Sequence, residues 1–235
     1  LADFTEADRV DAADMPELER WVLHRLTELD DKVRKGYAAF DFQGVFQSLF
    51  QFATVDMSAF YFDIRKDVLY CDGDTPERRA ARTVLDLLYH RLTTWLAPIL
   101  VFTMEEVWLE RNPGEGSSVH MQDIPDTPAS WADADLAAKW ASIRKVRRVV
   151  TGALEVQRRE KVIGSSLEAA PSVYVDADTA ALLASVNFAD MCITSAVDVS
   201  TDTAPADAFT LDDVEGVAAV FAKADGDKCQ RCWKI

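Results

Sequence analysis

The sequence predicts a mostly α protein: a helical bundle, then a long linking helix, then a small α+β subdomain. Three observations lead there. Apolar residues recur at helical spacing through most of the first half. A basic, amphipathic stretch runs from about Trp131 to about Lys161. Beyond it the chain turns to short runs rich in β-branched residues, as strands are. The predicted divisions are 1–125, 126–165 and 166–235.

Each element has its own signal. Asp14 followed by Glu17 forms a capping-box pattern, with Pro16 tolerable in the first turn. Leu18, Val22, Leu26, Leu29, Val33 and Tyr37 then mark the first helix. Asp41 can cap a second, through Phe42, Val45, Phe46, Leu49, Phe50, Ala53, Met57 and Phe60. Apolar on more than one face, it is expected to be central. In CDGDTPERR, Thr75 is the cap and Pro76 the first position of a third helix, which carries Val84, Leu85, Leu88, Leu92 and Trp95. Pro98 ends or kinks it. Thr103 with Glu106 makes another capping box, opening a short helix through Val107 and Trp108. Residues 112–130, rich in Pro, Gly, Ser and Asp, form a connection and the expected break between units. After the long helix, SVYVD, MCITS, AVDVS and VAAVFA read as strands, and the segment between Asp178 and Val186 as a small helix.

Composition bounds the function. Hydrophobic residues make up 49% of the 235, with 12 Phe and 6 Trp, enough for a sizeable core. No apolar run approaches the ~20 residues that span a membrane. LADFTEADRV has neither the basic start nor the apolar stretch of a signal peptide. Four Cys in this length do not make a disulfide framework. Cys71 and Cys192 sit in apolar surroundings and are expected to be buried thiols, and the compartment to be cytoplasmic. A net charge of −15 argues against a protein that coats nucleic acid indiscriminately. That charge is uneven: residues 1–138 carry a net −13, residues 139–161 a net +6, and residues 162–235 a net −8. One short segment is basic against an acidic background.

Enzyme chemistry finds no assembled set. The three His, His24, His90 and His120, have no ligand-spaced neighbours; the first two read as structural or surface residues and the third stays open. There is no G-x-G-x-x-G, G-x-x-x-x-G-K, G-x-S-x-G or H-E-x-x-H. Adjacent carboxylates such as Glu105 and Glu106 are explained by a helix start.

The long helix says more. At 100° per residue, Arg144, Arg147, Arg148, Arg158 and Arg159 fall within an arc of roughly 120°, and Lys161 follows them. Ile143, Val146, Val149, Val150, Ala153 and Leu154 occupy the opposite side. The guanidinium face suits either the protein's own Asp and Glu or a phosphate backbone. SAFYFDIRKDVLY, residues 58–70, runs aromatic positions into Asp63, Arg65, Lys66 and Asp67. There, Asp63–Lys66 or Asp67–Arg65 pairing would neutralise a helix end, and the alternative is a cation reaching a ligand. Finally, KCQRCWKI spaces Cys229 and Cys232 as half of a tetrahedral zinc site, with Arg231 and Trp233 beside them.

SAFYFDIRKDVLYC, LTTWLAPILVFTMEEVW (92–108), VRRVVTGALEVQRREKVIGSSLEA (146–169) and KCQRCWKI, in this order and at these distances, resemble the C-terminal portion of bacterial isoleucyl-tRNA synthetases. The likeness runs from about residue 14 to 235. Valyl and leucyl relatives share the bundle, but the Cys-x-x-Cys-Trp ending favours isoleucyl. The resemblance implies a class I synthetase-type anticodon-binding helical bundle whose partner is the anticodon stem-loop of isoleucine tRNA, in a monomer with no membrane contact. It implies that Lys66 and Trp233 lie near the anticodon, and it makes Arg65, Arg144, Arg147, Arg148, Arg158, Arg159, Lys161 and Arg231 candidates for RNA contact. It also implies that Cys229 and Cys232 are half of a four-Cys zinc site whose second pair lies further on, which leaves a tail expected to fray. The HIGH and KMSKS signatures of the catalytic domain do not occur in these residues. No cofactor is therefore expected here, while zinc, ATP and magnesium belong to the full-length parent. The competing reading is a helical protein–protein scaffold with an Arg-rich docking face.

Overall fold

Helix α1 (Glu17–Ala38) begins the bundle. Pro16 holds its N-cap, and Asp14 instead closes a short 3-10 turn, Ala12–Asp14, so the expected capping box is not formed. Proline has no side-chain acceptor; Glu17 and Glu19 in the first turn supply favourable charge to the dipole instead. Leu18, Val22, Leu26, Leu29 and Val33 are buried as their spacing predicts. Asp41 caps α2 (Phe42–Gln51), accepting the Gly44 N–H at 2.9 Å.

The second helix does not stop near Phe60. It passes through a π-helical stretch, Phe52–Phe62, into α3 (Asp63–Cys71). Phe52, Asp56, Met57, Phe60, Tyr61 and Ile64 are its buried positions there. Phe52, Asp56, Phe60 and Ile64 form one row stepping by four, with Met57 and Tyr61 beside it, a wider buried face than a 3.6-residue turn gives, as i→i+5 turns allow. Nor is the element central on all sides, since Phe42, Phe46 and Phe50 remain exposed.

Thr75 caps α4 (Pro76–Leu96), accepting the Arg78 N–H at 3.2 Å, with Pro76 at the start as predicted. α5 (Val101–Arg111) opens before Thr103, so that capping box is also absent. Glu105 turns instead to the connection, accepting from Ser118 Oγ at 3.0 Å and the Val119 N–H at 2.8 Å. Ala97, Met104, Trp108 and Val119 close a small core beneath it.

This computed structural model describes residue 1 and residues 3–235, and it divides into units Leu1–Ala134 and Asp135–Ile235. The second unit is built on α6 (Ala134–Arg159), whose Ile143, Val146, Val149, Val150, Ala153 and Leu154 are all buried. β1 (Ser172–Tyr174), α7 (Ala177–Leu183), α8 (Phe188–Cys192), β2 (Asp198–Ser200), β3 (Phe209–Leu211) and β4 (Val214–Val220) follow. The sheet order is β2-β1-β4-β3; β1 runs parallel to β2 and antiparallel to β4. MCITS is not a strand: it ends α8, and Ile193 turns the chain in the left-handed region at φ 58°. The sequence reading missed β3. Its Phe209 ring lies where a Cβ on Gly152 would come within 2.8 Å, so glycine lets sheet and helix meet.

Candidate nucleic-acid interface

Lys66 stands on the outer side of α3, its side chain 46% exposed and its Nζ 3.0 Å from Asp63 Oδ1. That is the self-neutralising pair the sequence allowed. Between exposed partners it is worth only a few tenths of a kcal/mol, so the ammonium can exchange Asp63 for another acceptor at little cost. Asp67 does not pair with Arg65. Arg65 points inward, and its Nε and Nη2 grip the two oxygens of Glu19 at 2.7 and 2.6 Å. Glu19 is fully buried and also accepts the Tyr61 hydroxyl at 3.0 Å. Burial opposes the charge of Arg65, but the Glu19 carboxylate outweighs it and raises the guanidinium's pKa. Burial and then Glu19 hold Tyr61 well above the ordinary phenol range. One turn away, buried Asp56 accepts from Arg25 Nε and Nη2 at 3.2 and 3.1 Å. These two carboxylate sites pin the π stretch and α3 to α1. The helix that presents Lys66 is thereby fixed in rotation, with Arg65 serving the interior.

In the second unit the guanidinium face of α6 is divided. Arg147 is half-buried and donates through Nε to the Met191 carbonyl at 2.6 Å, a fixed structural contact. Arg148 meets Asp213 at 2.9 Å with both side chains more than half exposed. Arg158 meets Glu155 at 2.9 Å and Ser166 Oγ at 2.8 Å. Arg144 is partly buried, while Arg159 and Lys161 are exposed, Lys161 with φ 62° just past the helix end. Arg148, Arg158, Arg159 and Lys161 therefore stay available to an anionic ligand, since exposed pairs dissolve cheaply.

The tail expected to fray is tied down. Lys234 pairs with Asp190, the Ile235 N–H donates to Ser195 Oγ at 2.7 Å, and the Cys229 N–H donates to the Lys234 carbonyl at 2.7 Å. This turn holds Trp233 at φ 63° with its ring 60% exposed and Lys228 Nζ 5.3 Å from the ring centroid. Arg231 is exposed beside it. The Cys229 thiol is exposed and lowered to about 7, because the Cys232 and Arg231 N–H groups and the Cys232 side chain stabilise its thiolate. Among the described residues no group of three or more His, Cys, Asp or Glu could hold a metal ion. Cys229 and Cys232 supply two donors where a structural zinc needs four, so these residues alone do not fit that ion.

The remaining candidates are structural. Cys192 is buried, and burial pushes its thiol up to about 12; Cys71 is only half-buried. His24 Nδ1 accepts the Asp133 N–H at 2.9 Å. His90 sits beside Asp86, and a ring nitrogen of exposed His120 lies 3.2 Å from the Val101 carbonyl. The sequence reading passed over Glu19 and Asp56. A charged residue at an apolar-face position of each helix was the available signal.

Among the described residues no helix is long and apolar enough to cross a membrane. A family model described as the anticodon-binding domain of tRNA ligase matches residues 19–174, a span that holds Glu19, Lys66 and the arginines of α6. The chain is 71% identical, over its whole length, to the isoleucine–tRNA ligase of Ruegeria pomeroyi. It is 54% identical over 97% of its length to that of Brucella abortus, and 54% over 95% to that of Agrobacterium fabrum. It spans 24% of the first two proteins and 23% of the third, about a quarter of the length of the curated relatives it matches.

Proposed function

Because the chain belongs to the family of anticodon-binding domains of tRNA ligases, we propose that it grips the anticodon stem-loop of isoleucine tRNA in the service of a ligase that joins isoleucine to that tRNA. The observation that carries this is Lys66: an exposed cation on a helix locked in place by the buried Glu19–Arg65 pair, inside the matched span. The work is positional. Cations set the register of the RNA on the protein, and splayed loop bases are read by direct contact. Arg148, Arg158, Arg159 and Lys161 serve as phosphate contacts, and Trp233, joined by Arg231, as a ring on which a loop base stacks. The working form is a cytoplasmic monomer. ATP, magnesium and a complete zinc site belong to the longer ligase and not to these residues. A scaffold docking an acidic protein on the Arg face is disfavoured by the family match.

The test is a low-salt titration of the chain with isoleucine tRNA and with an unrelated tRNA. Preference for the former is expected, with Lys66→Glu cutting affinity about tenfold through loss of an attractive and gain of a repulsive contact. Equal binding of both tRNAs would refute the proposal.

A further inference from the structure

On the face of α3 that carries Lys66 lies a residue with no assigned role. Phe62, Lys66 and Tyr70 are spaced four apart and follow one another along one side of the helix. All three are exposed, and Tyr70 most of all, at 88%. Among the described residues no hydrogen bond, ion pair or ring contact engages it. Beneath this row the helix is pinned by Arg65–Glu19, and Ile64 is buried.

A single exposed aromatic is ordinary; the charge around this one is not neutral. Asp63, Asp67, Asp72, Asp74 and Glu77 lie within a few residues of it in sequence, against Lys66, Arg78 and Arg79. Arg79 is taken up by Asp74, Arg78 donates to the Leu69 carbonyl, and Arg65 is turned inward. A phosphate backbone lying across this patch would meet net repulsion. An uncharged ring face would not. The surface therefore favours a ligand that presents a flat π face to Tyr70 and a single phosphate to Lys66, and an unstacked loop base of RNA has that form.

We infer that Tyr70 is a base-stacking residue: one splayed base of the RNA loop lies on its ring while Lys66, one turn back, fixes the register of that base. This rests on the reading that the chain binds an RNA hairpin. A tyrosine on a fixed helix has only two side-chain torsions to settle, so little ordering cost opposes the stack.

The experiment compares the wild-type chain with Tyr70→Ala, Tyr70→Phe and Lys66→Ala. Each binds isoleucine tRNA and an unrelated tRNA across a salt series, and 2-aminopurine at successive anticodon-loop positions reports stacking. Tyr70→Ala should weaken isoleucine tRNA about 5- to 100-fold and abolish the fluorescence change at one loop position, the size of one lost base stack. It should leave the slope of log affinity against log salt unchanged, because no counterion is involved. Tyr70→Phe should bind within about twofold, as the ring face is kept. Lys66→Ala should reduce the slope by about one. The exposed position should leave thermal unfolding of the Tyr70 variants unchanged. Wild-type preference for isoleucine tRNA with undiminished Tyr70→Ala binding overturns the stacking role alone. So does a Tyr70→Phe loss as large as that of Ala, which would assign the effect to the hydroxyl. Absence of any wild-type preference removes the underlying reading and Tyr70 with it.

Discussion

Glu19 is fully buried in α1. A fully buried carboxylate is tolerable only because Arg65 binds both its oxygens and Tyr61 donates a third hydrogen bond. Glu19→Ala leaves the Arg65 guanidinium buried without its partner, and should cost about 3–5 kcal/mol by chemical denaturation. Asp86 makes the same point with a pH dependence. Burial opposes its ionisation, yet Arg9 at 2.6 Å and Arg111 at 2.5 Å prevail and hold its carboxyl below the usual range. A depressed folded pKa means the unfolded chain binds the proton more readily. The stabilisation is therefore present above the unfolded value, near 3.9, and is lost as pH falls through the lower folded one. Unfolding midpoints across an acid series should show this loss below about pH 4, and Asp86→Asn should remove that component while destabilising the protein at neutral pH. Of these residue-level features, Asp63–Lys66 was legible because its partners lie one turn apart. Glu19–Arg65 was not, because 46 positions separate its partners and only the packing of two helices brings them together.

Helix starts in this chain obey side-chain chemistry only where the cap residue is free to face the backbone. Thr75 and Asp41 are, and both were predicted from sequence. Asp14 and Thr103 fit the same pattern yet cap nothing, since a 3-10 turn uses the first and α5 starts ahead of the second. Thr75→Ala should then cost about 1 kcal/mol, whereas Thr103→Ala should fall within about 0.5 kcal/mol, a contrast that thermal unfolding of the two variants measures directly. The π stretch escaped the sequence reading because its buried positions, Phe52, Asp56, Met57, Phe60 and Tyr61, spread wider than one α face, and so read as apolar on several sides. MCITS misled for a related reason: β-branched residues favour strands, but here they terminate a helix whose Met191 and Cys192 the unit buries. β3 is three residues long and gave too little alternation to detect. Its contact with α6 is demanding even so. With Phe209 against Gly152, a Gly152→Leu change should overpack the junction and cost about 1–3 kcal/mol.

At the scale of the molecule, charge decides how selective any RNA contact can be. The net −15 comes from residues 1–138 and 162–235, at −13 and −8, while residues 139–161 carry +6. An RNA approaching in the wrong place meets repulsion that acts over about 10 Å at 0.1 M salt and further when salt is lower. On the proposed reading, a cognate hairpin would meet cations at contact range and stacking partners with no charge penalty. The acidic surroundings would then weaken non-cognate binding more than cognate binding. Replacing exposed carboxylates distant in sequence from Lys66 and α6, as in the triple variant Asp123→Asn, Asp207→Asn and Asp225→Asn, should raise affinity for an unrelated tRNA by about two- to fivefold at low salt. Isoleucine tRNA should gain less, so the preference ratio falls. Because this repulsion is screened while stacking is not, raising the salt should return the variant's preference ratio to that of the parent chain. A ratio that stayed constant, or rose, in the triple variant would show that discrimination resides wholly in the contacts and that the surrounding acidity serves solubility alone.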